Sequence, residues 1–207
     1  MEDGFKPFNR EAGFNETRRN LPHRTQEGCT YFLTWRQADS VPQTTLEEWK
    51  RERQQWMDAH PVPWDDKTRR AYEIRFVRRL ERWADEGLGS CLLRCPANRE
   101  LVVRSLHFFD QHRYRLDAFV VMPNHVHVLV KPLPGFSLSS TLHSWKSFSA
   151  HEINKARGET GPVWMDETFN HAVRSLPQLE RFRRYILDNP SKAHLPTGSF
   201  SHWQSCG

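Results

Sequence analysis

Hydrophobic positions change their spacing several times along the chain, and each change marks an expected secondary-structure element. Two apolar runs with β-favouring residues, 114–122 and 125–131, are separated only by Pro123-Asn124, which predicts a tight β-hairpin. A third run, 29–35, is rich in aromatic and β-favouring residues and predicts a first strand. We expect the hairpin to form the centre of the fold.

Helical spacing, with apolar residues three or four positions apart, fills much of the remaining chain. Four segments show it in chain order, namely 67–85, 97–111, 139–155 and 176–187. The last of these should end at Asn189-Pro190. A further helix starts near Thr44, and a Pro-Val-Pro break at 61–63 separates it from the next one. Residues 44–94 therefore form a helix-rich insert after the first strand.

The length of 207 residues fits one domain, with this insert, better than two independent cores. Residues 1–26 are polar and aperiodic, which predicts a tail or a wrapping arm. We expect the domain over 27–195 and a C-terminal tail over 196–207.

Composition adds a bias toward anionic partners. The net charge is +5, only seven of the 30 basic residues are lysine, and eight tryptophans are present. Arginines beside exposed aromatic rings suit phosphates and unstacked bases, although solvated helix faces explain the same composition equally well. A mean hydropathy of −0.77 and the lack of an apolar run near about 20 residues argue against a membrane protein.

The cysteines and the N-terminus indicate the expected compartment. The four cysteines are scattered, with one C-x-x-x-C pair and no second pair to complete a zinc site, so we expect reduced thiols. The N-terminal residues lack the basic-then-apolar pattern of a secretory signal. A cytoplasmic location is the resulting expectation.

His125-Val126-His127 is the most informative tripeptide for chemistry. Residues i and i+2 of a strand project from the same face, so two imidazoles could hold one metal ion there. Val126 and Val128 would then face the core. The alternative is an exposed or hydrogen-bonded histidine pair without a metal.

The last helix offers a third ligand and a reactive group. Tyr185 and Asn189 are four residues apart and share a helical surface if the helix reaches that far. An amide oxygen is a plausible ligand beside two imidazoles, and a phenol near a metal-bound phosphate is a candidate nucleophile. Alternatively, Tyr185 is ordinary core and Asn189 merely ends the helix before Pro190.

The order of these groups along the chain resembles the single-tyrosine HUH transposases, and more narrowly the REP-associated tyrosine transposases. The matching strings are Thr30-Tyr31-Phe32-Leu33-Thr34, the block from Asp117 to Leu129, Val163-Trp164, His171-Ala172-Val173-Arg174, and Tyr185 to Ala193. The resemblance covers about 21–195, although the insert resembles only a subset of the family. One departure is Phe169, where relatives often carry tyrosine.

This resemblance implies an α+β, ferredoxin-like fold with a central antiparallel sheet, packed helices and a helical insert after the first strand. It implies that His125, His127 and Asn189 bind Mg²⁺ or Mn²⁺. Tyr185 would then cleave and rejoin single-stranded DNA at hairpin-flanked sites, through a 5′-phosphotyrosine intermediate and without water as the nucleophile.

The implied partner is single-stranded or hairpin DNA, such as REP-like palindromes, bound by a monomer or a homodimer. Arginines that lie mostly off the apolar stripes are candidate phosphate contacts: Arg69, Arg75, Arg78, Arg82, Arg181 and Arg184. Two rival functions remain. One is a domesticated, non-catalytic regulator that binds hairpin DNA, and the other is a metal-dependent hydrolase that uses water instead of Tyr185.

Overall fold

A five-stranded antiparallel sheet forms the centre of the protein, in a computed structural model that describes residues 5–9, 13, 15–18 and 22–205. The strands of this sheet are β3 (Tyr31–Gln37), β4 (Tyr114–Val121), β5 (His125–Pro132), β6 (Trp164–Ala172) and β7 (Ser201–Gln204). Their order is β6-β3-β5-β4-β7, so β5 lies in the middle. A separate two-stranded sheet precedes them, formed by β1 (Asn15–Arg18) and β2 (Pro22–Thr25).

Helices occupy most of the chain between these strands. They are α1 (Gln43–Ala59), α2 (Asp66–Tyr72), α3 (Arg78–Asp85), α4 (Pro96–His107), α5 (Leu138–Arg157) and α6 (Leu176–Lys192). A π-helical turn, Glu73–Val77, joins α2 to α3, and a 3₁₀ turn, Leu92–Arg94, precedes α4. Each predicted helix is therefore present, and the α+β class with a helical insert after the first strand of the main sheet is confirmed.

The predicted hairpin is also present at the centre of the sheet. The backbone N–H of Met122 donates to the carbonyl of His125 at 2.9 Å, which closes a two-residue turn over Pro123-Asn124. β4 and β5 then pair in antiparallel register. Residues that alternate along β5 consequently face opposite sides of the sheet.

Each side of the sheet packs against different helices. One side buries Trp35, Val126 and Val128 with Trp145 of α5 and Val102 of α4. The other side buries a second set of apolar residues beneath α6: Phe32, Ala118, Val120, Met122, Leu129, Leu179 and Ile186. The alternation that sends Val126 and Val128 to the first side sends His125 and His127 to the side of α6.

The insert has its own apolar cluster, which is attached to the edge of the sheet. Trp49, Tyr72 and Phe76 are buried there together with Met165 of β6. Trp49 also donates its indole N–H to the carbonyl of Phe76 at 3.3 Å. The insert is therefore packed on the domain through β6.

Part of the segment predicted as an N-terminal tail or arm is structured. Phe8 is buried, and its N–H donates to the carbonyl of Val173 at 3.1 Å. Gln26 accepts from the N–H of Asn9 through its side chain. The rest of the prediction for 1–26 falls partly on residues outside the described ones, at 1–4, 10–12, 14 and 19–21.

The prediction of a C-terminal tail over 196–207 is wrong for its middle part, because β7 is the fifth strand of the sheet. Trp203 stacks on Phe119 of β4 at 5.8 Å between ring centroids, and His107 packs on it edge-on at 5.1 Å. A strand of four residues gives too short an alternation to be recognised in the sequence. Its stability comes from pairing and from this aromatic contact. The boundaries 27–195 otherwise stay a prediction.

Within the described ranges, no helix combines the length and the apolar character that a membrane span requires.

Candidate active site

His125 and His127 lie side by side on β5, on the face covered by α6. Each is 1% exposed, and their ring centroids are 4.8 Å apart with the rings nearly perpendicular. The strand periodicity that predicts a shared face therefore places both imidazoles in one buried position. This geometry is what one metal ion bound by two histidines would require.

The protonation of His125 follows from its neighbour in the hairpin turn. Asn124 donates through Nδ2 to the carbonyl of Leu88 at 3.1 Å, which fixes the orientation of its amide. Its Oδ1 therefore faces Nδ1 of His125, at 2.8 Å. Because an amide oxygen only accepts, Nδ1 of His125 carries the proton and Nε2 carries the lone pair.

His127 is fixed in the same tautomer by groups from two other elements. Its Nδ1 lies 2.8 Å from the hydroxyl of Thr34 on β3, and its Nε2 lies 3.5 Å from the amide Nδ2 of Asn189 on α6. Since an amide nitrogen only donates, Nε2 of His127 carries the lone pair and Nδ1 donates to Thr34. Nε2 is therefore the lone-pair nitrogen of both histidines, and a metal ion at His127 would replace the contact with the Asn189 amide nitrogen.

The electrostatic environment keeps both rings neutral. Burial lowers the pKa of His125 to about 3, with a further contribution from the positive charge of Arg36. Burial, His125 and Arg36, in that order, hold the pKa of His127 well below its usual value. A neutral imidazole is the form that binds a metal ion, so both residues are in the competent state at neutral pH.

Asn189 is positioned by α6 as the third donor. It is 4% exposed, and its Oδ1 is buried without a hydrogen-bond partner among the residues that the structure describes. A buried amide oxygen without a partner is costly unless something else satisfies it, and a bound cation would do so. The two imidazoles and this oxygen therefore fit a divalent ion such as Mn²⁺ or Mg²⁺.

No group of three or more histidine, cysteine or acidic side chains in the described ranges could hold a metal ion.

Tyr185 lies one helical turn before Asn189 and contacts His127 of the histidine pair. Its ring packs edge-on against His127 at 5.2 Å and against Phe32 at 5.8 Å. Phe32 in turn stacks on Phe182 of α6 at 4.4 Å. The structure thus places the tyrosine beside the histidine pair of its own chain.

α6 continues past the expected stop and so includes Asn189. It runs to Lys192 with Pro190 inside it, so the predicted end at Asn189-Pro190 is wrong. Asn189 and Pro190 are both buried, and this packing offsets the hydrogen bond that proline cannot donate. Two bonds from Arg183 to Asp117 of β4, at 2.7 and 2.6 Å, also fasten the helix to the sheet.

The other three tyrosines have structural roles away from the pair. The hydroxyl of Tyr31 donates to the carbonyl of Gln26 at 3.0 Å, and burial raises its pKa to about 12. Tyr114 donates to the carbonyl of Leu106 at 2.8 Å, and Tyr72 is buried in the insert. Burial raises the pKa of Tyr72 and Tyr114 as well.

Phe169, the position at which this chain departs from the family pattern, is partly buried on β6. It packs edge-on against Phe32 at 6.5 Å and contacts both the α6 cluster and the insert cluster. Its ring also lies 6.2 Å from that of His171 between centroids.

The arginines predicted to contact DNA are divided between two regions. In the insert, Arg75 pairs with Glu52 at 2.7 Å, Arg69 with Asp66 at 3.3 Å and Arg82 with Glu86 at 3.9 Å. The remaining three are exposed: Arg78, Arg181 and Arg184. Carboxylates of the same chain thus already contact half of the predicted set.

Sequence reasoning missed three residues around the histidine pair: Thr34, Asn124 and Arg36. Thr34 and Arg36 lie opposite His127 and His125 in the pairing of β3 with β5. Their polar character inside a buried strand was the available signal, since buried polar groups need partners. The register that identifies those partners could not be read from the sequence.

The fold and this site define an α+β protein with two neutral histidines on its central strand and a tyrosine helix packed over them. Residues 100–189 match the sequence profile of the IS200-like transposases. The matched segment contains the histidine pair, Tyr185 and Asn189.

The solved structures that are similar to the chain include two transposases. One is a REP-associated tyrosine transposase bound to a REP hairpin, with 18% identity over 86% of this chain and 73% of that chain, and a TM-score of 0.43. The other is a protein of Deinococcus radiodurans R1 described as a transposase, with 15% identity over 84% of this chain and 98% of that chain, and a TM-score of 0.33. No curated protein sequence matches the chain.

Proposed function

We propose that this protein is a metal-dependent transposase that cleaves and rejoins single-stranded DNA at hairpin-flanked sites, with Tyr185 as its nucleophile. The observation that carries the proposal is the contact of Tyr185 with His127, 5.2 Å between ring centroids, one helical turn from Asn189. A partly buried phenol thus lies beside His127, and His125, His127 and Asn189 are the buried, neutral donors proposed to hold the metal ion.

In the proposed reaction the Oη atom of Tyr185 attacks a backbone phosphorus and loses its proton. The bond between phosphorus and the 3′ oxygen breaks, and that oxygen leaves as a 3′-hydroxyl after taking up a proton. A 5′-phosphotyrosine results. Attack by another 3′-hydroxyl reverses the step and rejoins the strand, because the phosphotyrosine bond retains the energy of the phosphodiester.

The chain supplies the positions for this reaction. His125, His127 and Asn189 would hold Mg²⁺ or Mn²⁺, which polarises a non-bridging phosphate oxygen when bound. Thr34 and Asn124 keep both histidines in the binding tautomer. The hydrogen bond from Arg183 to Asp117 fixes α6 on the sheet and keeps the phenol of Tyr185 beside the histidine pair. Much of the entropy needed to orient the nucleophile is therefore lost before DNA binds.

Hairpin DNA is the substrate class proposed here. Support comes from the Pro-Asn-His-Val-His and Tyr-Ile-x-x-Asn-Pro strings, which resemble REP-associated tyrosine transposases, and from the exposed Arg78, Arg181 and Arg184. Exposed arginines bind phosphates without reading sequence, whereas the hairpin shape would select the site.

A covalent adduct tests the proposal. Wild-type protein is incubated with Mn²⁺ and a labelled hairpin that has single-stranded flanks, and the adduct is measured on a denaturing gel beside Tyr185→Phe. We expect an adduct joined to the 5′ phosphate in wild type only, while both proteins bind the hairpin. The matched control, Tyr114→Phe, loses a buried hydroxyl and about 1–3 kcal/mol of stability but keeps the adduct.

Two results would contradict the proposal. Hairpin binding without cleavage by the wild type would indicate a non-catalytic regulator. Cleavage that survives in Tyr185→Phe and leaves no protein on the DNA would indicate a hydrolase that uses water.

A further inference from the structure

Arg36 is the third polar residue that the strand register brings to the histidine pair. It lies directly opposite His125 in the antiparallel pairing of β3 with β5, as Thr34 lies opposite His127. Residues directly opposite each other share a face of the sheet, with Cβ atoms about 5 Å apart. Arg36 is 3% exposed, so its side chain lies inside the protein on the face of the sheet that carries the histidine pair.

The charge of this residue sets a requirement on the site. A guanidinium stays ionised at any pH that the protein tolerates. Its positive charge lowers the pKa of both histidines, which shows that the charge acts on both rings. All three predicted metal donors are neutral, so a bound divalent ion and Arg36 together would leave a strong excess of positive charge.

A cavity adjoins Arg36 on the side of the insert. Its walls are formed by Arg36, Glu167, Thr168 and Phe169 of the sheet and by Trp49, Tyr72, Val77 and Leu80 of the insert. Glu167 is a carboxylate in this wall and offsets one positive charge. The two positive charges that would remain with a bound divalent ion favour an anionic substrate over a neutral one.

We propose that Arg36 is a further catalytic residue, which binds a non-bridging oxygen of the scissile phosphodiester. The proposal rests on the proposed function. As Oη of Tyr185 forms its bond to phosphorus and the bond to the 3′ oxygen breaks, negative charge grows on the non-bridging oxygens. A buried guanidinium stabilises that charge through one or two charge-assisted hydrogen bonds.

This assignment also gives the insert a role. Trp49 and Tyr72 form the wall opposite the sheet, so the insert encloses the cavity that Arg36 lines. Exclusion of water strengthens the interaction between guanidinium and phosphate, since the local dielectric constant falls.

The first experiment measures metal binding without DNA. Mn²⁺ is titrated into wild type, Arg36→Gln and Arg36→Lys, with the His125→Ala, His127→Ala double mutant as the background to subtract. We expect Arg36→Gln to bind Mn²⁺ about two- to tenfold more tightly than wild type, because a repelling charge is removed. Lysine keeps the charge, so its affinity should stay at the wild-type value. Weaker Mn²⁺ binding by Arg36→Gln would show that Arg36 only supports the histidines, and would overturn the proposal.

The second experiment removes charge from the substrate instead of the protein. Adduct formation is compared on the hairpin with a normal scissile phosphodiester and on hairpins carrying each resolved methylphosphonate diastereomer at that position. On the phosphodiester, Arg36→Gln should slow adduct formation about 10²–10³-fold, and Arg36→Lys should recover part of the rate. On the diastereomer that lacks the contacted oxygen, the same substitution should slow the reaction less than about tenfold.

Arg99→Gln is the matched control. Arg99 is also buried, but its guanidinium donates to Ser201 and to the carbonyls of Leu93 and Gly198, away from the histidine pair. This variant should lose stability while its rates of adduct formation on the phosphodiester and on the methylphosphonates fall in the same proportion.

Equal proportional losses of rate for Arg36→Gln on all three substrates would show that Arg36 has only a structural role. If wild type forms no adduct with the phosphodiester, the proposed function itself fails and takes this inference with it. If wild type does form the adduct, a loss of rate that is larger on the phosphodiester than on one methylphosphonate diastereomer, and that occurs only in the Arg36 variants, would support the inference.

Discussion

The hydroxyl of Thr34 lies 2.8 Å from Nδ1 of His127, across the pairing of β3 with β5. The two residues are far apart in the chain, and both are buried. The hydroxyl accepts the imidazole proton and so leaves the other ring nitrogen to face Asn189. The amide of Asn189 makes Nε2 of His127 the acceptor, and the Thr34 oxygen supports that tautomer by accepting the proton on Nδ1.

Replacing Thr34 by valine should consequently weaken Mn²⁺ binding about 10- to 100-fold, the usual effect of losing a residue that orients a metal-binding histidine. Thr34→Ser keeps the oxygen and should stay close to wild type. Calorimetric titration of Mn²⁺ gives the affinities. Thr141→Val is the control, since Thr141 is a buried threonine on α5 whose hydroxyl donates to Ser137. Similar Mn²⁺ affinities for Thr34→Val and wild type would contradict this role.

The effect of replacing Asn189 on Mn²⁺ affinity should depend on whether the new side chain still provides an oxygen atom. Asn189→Ala removes the candidate donor and should lower Mn²⁺ affinity, whereas Asn189→Asp supplies a harder, charged oxygen and should preserve or raise it. Titration of Mn²⁺ followed by electron paramagnetic resonance distinguishes the two. An affinity that falls equally in both variants would mean that the amide packs against His127 without binding metal.

The ion pair between Arg183 and Asp117 should affect catalysis more than folding. The pair is partly exposed, with 28% and 18% of the side chains accessible, so Asp117→Asn should cost only about 1 kcal/mol of unfolding free energy. Because the same pair fixes α6, and with it Tyr185, the rate of adduct formation should fall by more than this loss of stability explains.

Urea denaturation and adduct kinetics measure these two effects. Glu159→Gln is the control, since it breaks a more exposed pair with Arg157 at 2.7 Å on another helix end. Parallel losses of stability and rate in Asp117→Asn would show that the pair does not position the helix.

Hairpin binding should depend on salt through the exposed arginines of α6. Each phosphate contact contributes roughly one unit to the slope of log affinity against log salt concentration. Arg181→Gln and Arg184→Gln together should therefore reduce the slope by about 1 to 2. Arg157→Gln, on α5, should leave it unchanged. If the affinity of wild type for the hairpin does not change with salt concentration, the arginines of these helices face solvent and do not contact DNA.

Stability should fall in mild acid because of His171. Burial, followed by the charges of Arg174, Arg181 and Arg69, lowers the pKa of His171 to about 4. The unfolded state takes up a proton near the usual histidine pKa of about 6.5, whereas the folded state resists it. The stabilising contribution of His171 is thus complete above pH 6.5 and is lost as the pH falls from there to about 4.

Urea midpoints at pH 7 and pH 5 test this expectation. His171→Gln should reduce the difference between the two pH values, and the part that remains reflects other groups such as His125 and His127. His151→Gln, at a side chain that is 74% exposed, should leave the difference as in wild type. An unchanged difference in His171→Gln would contradict the prediction.

Local pattern was sufficient for the elements that carry the site, and insufficient for the contacts between them. The alternation around His125 predicted the shared face, and the spacing of Tyr185 and Asn189 predicted the shared helical surface. Strands β6 and β7 were missed, because β6 mixes acidic and amide residues with apolar ones and β7 has only four residues. Pairing across the sheet stabilises both, and that contribution is not encoded in a local window.

The partners of the histidines were missed for the same reason. Thr34 and Arg36 become neighbours of the pair only through the register of β3 against β5. The end of α6 was predicted too early, because the rule that proline stops a helix takes no account of the packing that buries Pro190. In each case a tertiary contact decided what local propensity left open.

The bond from Asn124 to the carbonyl of Leu88 means that the insert cannot be removed as a unit. Leu88 belongs to the segment that returns from the insert to the sheet, and the same segment reaches the hairpin again where Leu93 donates to Pro123 at 3.1 Å. A shortened protein designed by joining β3 directly to α4 would lose the backbone oxygen that orients Asn124, and His125 would lose its fixed tautomer. A minimal version of this protein must therefore keep the return segment around 88–93 even if α1, α2 and α3 are deleted.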